Sequence, residues 1–160
     1  MIKKFNIFFL TFFMIGRIKF APGTIASLVT CILFLTLINF FDIIVIFLFT
    51  LFIFLYSFIA INSFDEFKSE DPQEIVIDEV IGQMLPILAI PIYETLFLLP
   101  KIYYCVFAFL LFRLFDILKP FPINYVDNNI AGALGIILDD ILAGIYSIII
   151  LSIIFFFLGA

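Results

Sequence analysis

The stretch that decides the fold is Gly132 to Leu158, GALGIILDDILAGIYSIIILSIIFFFL. It is long enough to cross a hydrocarbon layer, which takes about 20 apolar residues. Its only charges are the adjacent pair Asp139 and Asp140, with an uninterrupted apolar run beyond them. A carboxylate inside such a segment costs about 2.5–3.5 kcal/mol on insertion scales, so a pair held there implies a compensating partner and a use.

The rest of the chain reads the same way. Of 160 residues, 66% are hydrophobic and 13% charged, and the mean hydropathy is +1.33, far from the roughly one-quarter charged norm of soluble domains. Phe20 to Phe41 carries no charge, and a helix is expected after Pro22-Gly23 with Thr24 as its N-cap. Asp42 marks a turn, and Ile43 to Phe64 is again uncharged. Val80 to Leu99 is apolar but interrupted by Pro86, Pro91 and Glu94, so a kinked or broken span is expected. Ile102 to Leu118 carries Arg113 and Asp116 near its end, where Lys119-Pro120-Phe121-Pro122 stops it. The expectation is an all-α polytopic membrane bundle: one domain over residues 1–160, with about five spans.

Lys3 and Lys4 followed by the apolar run Phe5 to Ile15 have the look of a signal peptide, but no small-residue cleavage site follows. Too short to span, this segment is expected to stay as an interfacial or re-entrant helix. Residues 65–79 form the one long polar loop, in which Asp65, Glu66, Glu70 and Glu74 are solvated charges more readily than ligands. With five spans, every Lys and Arg except Lys101 falls on one side. That bias makes this side cytoplasmic and puts the C-terminus outside.

Helical rise places the charged groups in depth. Asp139 lies about 9 Å along the helix from Ala133, and Arg113 as far from Lys119. Arg113, Asp116, Asp139 and Asp140 are therefore expected in one layer beneath the cytoplasmic interface, with Asp78 and Glu79 at its mouth. The chain has no His, and Cys31 and Cys105 lack metal-type spacing, so they read as small buried hydrophobes. An all-oxygen donor set favours Mg²⁺ over zinc or copper. A histidine nucleophile is excluded, and Cys105 does not precede an Arg-containing phosphate loop. A hydrolase built from these groups needs a metal-activated water or an Asp nucleophile, with Arg113 and Lys119 for phosphate oxygens. Asp116, three residues from both cations, can orient either one. Thr24 and Ser27 are secondary phosphate-binding candidates. The absence of a basic stripe argues against nucleic acid as a partner.

Three blocks then become recognisable in order: Ala21-Pro22-Gly23-Thr24-Ile25-Ala26-Ser27-Leu28; Asp71-Pro72-Gln73-Glu74-Ile75-Val76-Ile77-Asp78-Glu79-Val80-Ile81-Gly82; and Arg113-Leu114-Phe115-Asp116-Ile117-Leu118-Lys119-Pro120-Phe121-Pro122-Ile123, continuing to Asp139-Asp140-Ile141-Leu142-Ala143-Gly144. In these the chain resembles the phosphatidylglycerophosphatase A family. The resemblance implies Mg²⁺-dependent hydrolysis of phosphatidylglycerophosphate, a phospholipid substrate, at the cytoplasmic face of a bacterial plasma membrane. It departs from the family at Ala26 and Ala133, where Gly is common. Joined to the reading of the residues, it makes Asp78, Glu79, Asp139 and Asp140 the expected metal ligands. The rival reading is a small ion or proton translocator using the Asp pair as a relay.

Overall fold

The computed structural model describes residues 2–63, 74–97 and 100–159. Most of the acidic loop, including Asp65, Glu66, Lys68, Glu70 and Asp71, lies outside the described residues. Among the described residues every regular element is helical. Helix α1 is Ile2–Leu10, only about 14 Å long at helical rise. It is folded back on the bundle, with the Tyr56 hydroxyl donating to Asn6 Oδ1 at 2.7 Å and the Val76 N–H donating to the Leu10 carbonyl at 3.0 Å. Phe12, Phe13 and Met14 then take left-handed backbone angles, turning the chain into a single 3-10 turn at Ile15–Arg17.

Helix α2 is Pro22–Leu37. It starts earlier than expected because proline's fixed φ and missing N–H suit the first helical position. Ala21 precedes it in the left-handed region, so Thr24 lies inside the first turn and is not an N-cap. Helix α3, Ile43–Asn62, turns Ile46, Thr50, Ile53, Ser57 and Ala60 inward. The Thr50 and Ser57 hydroxyls donate to the carbonyls one turn back, at 2.9 and 2.7 Å, which satisfies them without water.

The expected broken span is α4, Ile77–Leu88, followed by α5, Ile90–Phe97. The break falls at Ala89, two residues before Pro91, whose ring would collide with the carbonyl four residues back at Ile87. Pro86 stays inside α4, and its missing N–H leaves the Gly82 carbonyl without its usual helical donor. Helix α6 is Lys101–Leu118, ended by Lys119 in the left-handed region. A seven-residue helix α7, Ile123–Asn129, leads to α8, Ala133–Gly159, of 27 residues.

Two helices, Ile43–Asn62 and Ala133–Phe157, are by themselves long and apolar enough to cross a membrane. The others expected to span are shorter, broken or charged. Helix α4 sits centrally, packed on α8, α2, α6 and α3, with Ile81, Met84 and Ile87 fully enclosed. The first turns of α2 and α4 and the last turn of α6 gather at one end. At the other, Lys101 reaches Asn39 and Glu94, and the Tyr93, Tyr104 and Phe155 rings pack 4.6–5.8 Å apart. Outward faces carry Phe47, Leu48, Phe52, Val106, Leu110, Ile149 and Phe156, all exposed. An apolar exterior of that extent is stable against lipid and not against water, which marks the chain as membrane-associated.

Candidate active site

The site is assembled at the crossing of α4 and α8. A Cβ on Gly82 would lie 2.6 Å from the Asp140 carbonyl oxygen and 2.6 Å from a Phe112 ring carbon. On Gly144 it would lie 2.5 Å from the Gly82 carbonyl oxygen. Only glycine at both positions lets the two backbones touch. That contact brings Asp140 of α8 against Asp78 and Glu79, which sit in the first turn of α4, where the helix dipole favours negative charge.

One carboxylate oxygen from each of Asp78, Glu79 and Asp140 lies within 4.8 Å of the other two. Asp140 is buried and the other two are partly buried. Asp78 Oδ1, Glu79 Oε2 and Asp140 Oδ1 are each sealed from solvent with no hydrogen-bond partner among the described residues. Three anionic groups sharing a dry space repel one another unless a cation compensates. Converging, unpartnered hard oxygens in a chain without His fit Mg²⁺, which prefers carboxylate and water ligands. The Glu79 carboxylate also lies against Gly23 in the first turn of α2, where a side chain on residue 23 would overlap it.

Asp139 does not join this trio. Its Oδ2 accepts from Lys119 Nζ at 2.9 Å, and its Oδ1 accepts from the Asp140 N–H at 3.0 Å. Adjacent residues on a helix point about 100° apart, so the pair serves two neighbours. Lys119 is clamped a second time by Asp127 Oδ1 at 2.6 Å. Partial burial alone would lower the Lys119 pKa, but the bonds to Asp127 and Asp139 outweigh it and hold the ammonium charged.

Arg113 stands on the adjoining turn of α6. Its Nη1 is held by Asp116 at 2.7 Å and approaches Ser27 Oγ at 3.4 Å, while its Nε is buried without a partner among the described residues. The guanidinium is thus fixed on one side and open on another. Ser27 is fully buried and donates to the Gly23 carbonyl; Thr24 makes no side-chain hydrogen bond among the described residues. Asp78, Glu79, Asp116, Asp140, Arg113, Lys119 and Ser27 thus share one end of the bundle with Asp139. Two residues escaped the sequence reading. Asp127 lies on a helix too short to show periodicity, and Gln83 was absorbed in an apolar run although its place one turn after Glu79 is the available signal.

Fold and site together define a membrane-associated helical protein with a cluster of converging carboxylates flanked by the cationic side chains of Arg113 and Lys119. The sequence model of the family described as Phosphatidylglycerophosphatase A matches residues 8–155. A Haemophilus influenzae protein named Phosphatidylglycerophosphatase A is 37% identical over 136 residues, covering 84% of this chain and 79% of that protein. An Escherichia coli protein of the same name is 36% identical over 77 residues, 48% of this chain and 41% of that one. A Bacteroides thetaiotaomicron protein, named "Putative phosphatidylinositol-3-phosphatase", is 33% identical over 142 residues, 86% of each chain. No solved structure matches. The chain belongs to the phosphatidylglycerophosphatase A family.

Proposed function

We propose that this chain is a five-span phosphatase of a bacterial plasma membrane that converts phosphatidylglycerophosphate to phosphatidylglycerol and phosphate, with its site facing the cytoplasm. The observation that carries the reading is the convergence of three unpartnered carboxylate oxygens, from Asp78, Glu79 and Asp140, at the bundle end that also holds Arg113 and Lys119. These acids would hold Mg²⁺, which would supply Lewis-acid neutralisation of phosphoryl charge and a lowered pKa for water.

The chain's own groups do the positioning. Arg113 presents its Nε edge to phosphoryl oxygens, since Asp116 and Ser27 occupy Nη1, and a planar fork holds two oxygens at once. Lys119, kept charged by Asp127 and Asp139, adds a second cation. Water forms the new O–P bond as the ester P–O bond breaks. One water proton passes to a carboxylate of the cluster and from it to the departing glycerol oxygen, and the other stays on the product phosphate. The name of the Bacteroides relative shares the essential chemistry, a phosphate monoester on a phospholipid headgroup.

A proton relay would need polar groups continuing across the membrane. Beyond Asp140, α8 offers only hydroxyls such as Ser147 and Ser152, and both donate to their own helix, at 2.8 Å each. The test is phosphate release in detergent micelles from phosphatidylglycerophosphate and, separately, from phosphatidylinositol 3-phosphate, with Mg²⁺ and with EDTA. Release from the first substrate that EDTA abolishes is expected. No release from it would overturn the reading, and release from the inositol lipid alone would reassign the headgroup.

A further inference from the structure

Gln83 is fully buried, and neither Nε2 nor Oε1 has a partner among the described residues. Leaving a buried amide unmatched is costly, because the water it gave up on burial is not replaced. In an otherwise apolar core a leucine or methionine of the same volume would avoid that cost entirely. The residue stands one turn after Glu79 on α4, on the same face. Helical side chains lean back over the turn before their own Cα, so the Gln83 amide is directed toward the level of the carboxylates and away from the apolar half of the helix.

The unmatched atoms are complementary. Gln83 Nε2 is a donor without an acceptor, and Glu79 Oε2, one turn away, is an acceptor without a donor. With Nε2 turned to Glu79, the Gln83 Oε1 remains a buried acceptor in need of a donor. Ionised carboxylates and a phosphate dianion carry no donor, whereas a water among them offers an O–H.

We propose that Gln83 is a positioning residue for the water consumed in hydrolysis: its Oε1 accepts one O–H of that water while its Nε2 anchors to Glu79. The amide never changes protonation. It fixes where the water oxygen points as the O–P bond forms, and the transferred proton goes to a carboxylate. This rests on the phosphatase reading above.

The experiment compares wild type, Gln83→Met, Gln83→Glu and Gln83→Asn in detergent micelles. Kinetics on phosphatidylglycerophosphate are read alongside melting temperature in EDTA and in Mg²⁺, the latter with and without inorganic phosphate. Gln83→Met is expected to keep or raise the EDTA melting temperature, because two buried unmatched atoms disappear. Its kcat should fall roughly tenfold to a hundredfold, the scale of an ångström's misplacement of a reacting group, with KM within about twofold. The gain in melting temperature with Mg²⁺ should persist. Gln83→Asn, which keeps donor and acceptor but is one methylene short, should recover more kcat than Gln83→Glu, which lacks the donor to Glu79 and sets a second carboxylate beside it. Unchanged kcat in Gln83→Met, or a fall in kcat matched by a lower EDTA melting temperature in every variant, would overturn the assignment. Loss of the Mg²⁺ gain in Gln83→Met would overturn it too, by making Gln83 a group that holds the cation. A wild-type enzyme inert toward this substrate instead overturns the phosphatase reading itself.

Discussion

Gly82→Ala places a methyl group where α4 and α8 meet backbone to backbone. The added Cβ would stand 2.6 Å from both the Asp140 carbonyl oxygen and a Phe112 ring carbon. Ordinary contact begins near 3.4 Å, so the helices must part by about 0.8 Å locally, and the obstacle on one side is main chain that cannot rotate away. Overpacking of this kind costs about 1–3 kcal/mol. Alanine returns about 1 kcal/mol through its better helix propensity, leaving a net loss of roughly 0–2 kcal/mol. Activity should suffer far more. Parting α4 from α8 moves Asp140 from Asp78 and Glu79 by most of an ångström, and displacement on that scale costs about a hundredfold in rate. Turnover on micellar phosphatidylglycerophosphate and melting temperature in the same detergent separate the two effects. Ile149→Ala, on the exposed face of α8, is the control expected to leave both near wild type. A Gly82→Ala enzyme with full turnover would refute the idea that the glycine crossing sets the carboxylate spacing.

Asp140→Asn is expected to abolish hydrolysis and the Mg²⁺-dependent rise in melting temperature, because one of the three converging oxygens is lost; Mg²⁺-stimulated turnover in this variant would remove Asp140 from the metal set. Asp139→Asn should bind Mg²⁺ nearly as wild type yet lose turnover, since Lys119 keeps only Asp127 as a charged clamp; a lost Mg²⁺ response would move Asp139 into the ligand set. Arg113→Lys should raise KM and lower kcat although charge is conserved, because an ammonium cannot grip Asp116 and phosphate in one fixed plane; near-normal kinetics would reduce Arg113 to the salt-bridge partner of Asp116. A reporter fused after Ala160 should read as extracytoplasmic, following the Lys and Arg bias; a cytoplasmic signal would reverse the topology.

What the sequence revealed and what it concealed follow from different physics. Helices α3 and α8 were legible because each carries about twenty apolar residues with no charge among them, a length that fits a hydrocarbon layer. The acids were legible because a carboxylate in such a run is too costly to be incidental. Partition of the Asp pair was not, since adjacency in sequence suggests a shared task while helical geometry points the two side chains apart. Two prolines announced a break near the middle of α4 and α5 but not its place. Only the clash of Pro91 with the Ile87 carbonyl puts it at Ala89. The start of α2 was misplaced because a threonine after Pro-Gly looks like a cap, whereas Pro22 itself opens the helix. Nothing in the sequence shows that Asp127 folds back onto Lys119, because that contact depends on the turn between α6 and α7.

The acids and the cations Arg113 and Lys119 lie at one end of the bundle, while Lys101, Asn39 and the aromatic cluster lie at the other. In a bilayer such a molecule serves a single leaflet. A headgroup bearing its phosphate in the opposite leaflet has no path along α3, which carries no charged residue, or along α8 beyond Asp140, which carries none either. The dephosphorylated lipid is released into the monolayer it came from. Any asymmetry of that lipid between the two monolayers is therefore created on one side by this reaction and has to be erased, if at all, by separate machinery that flips lipids.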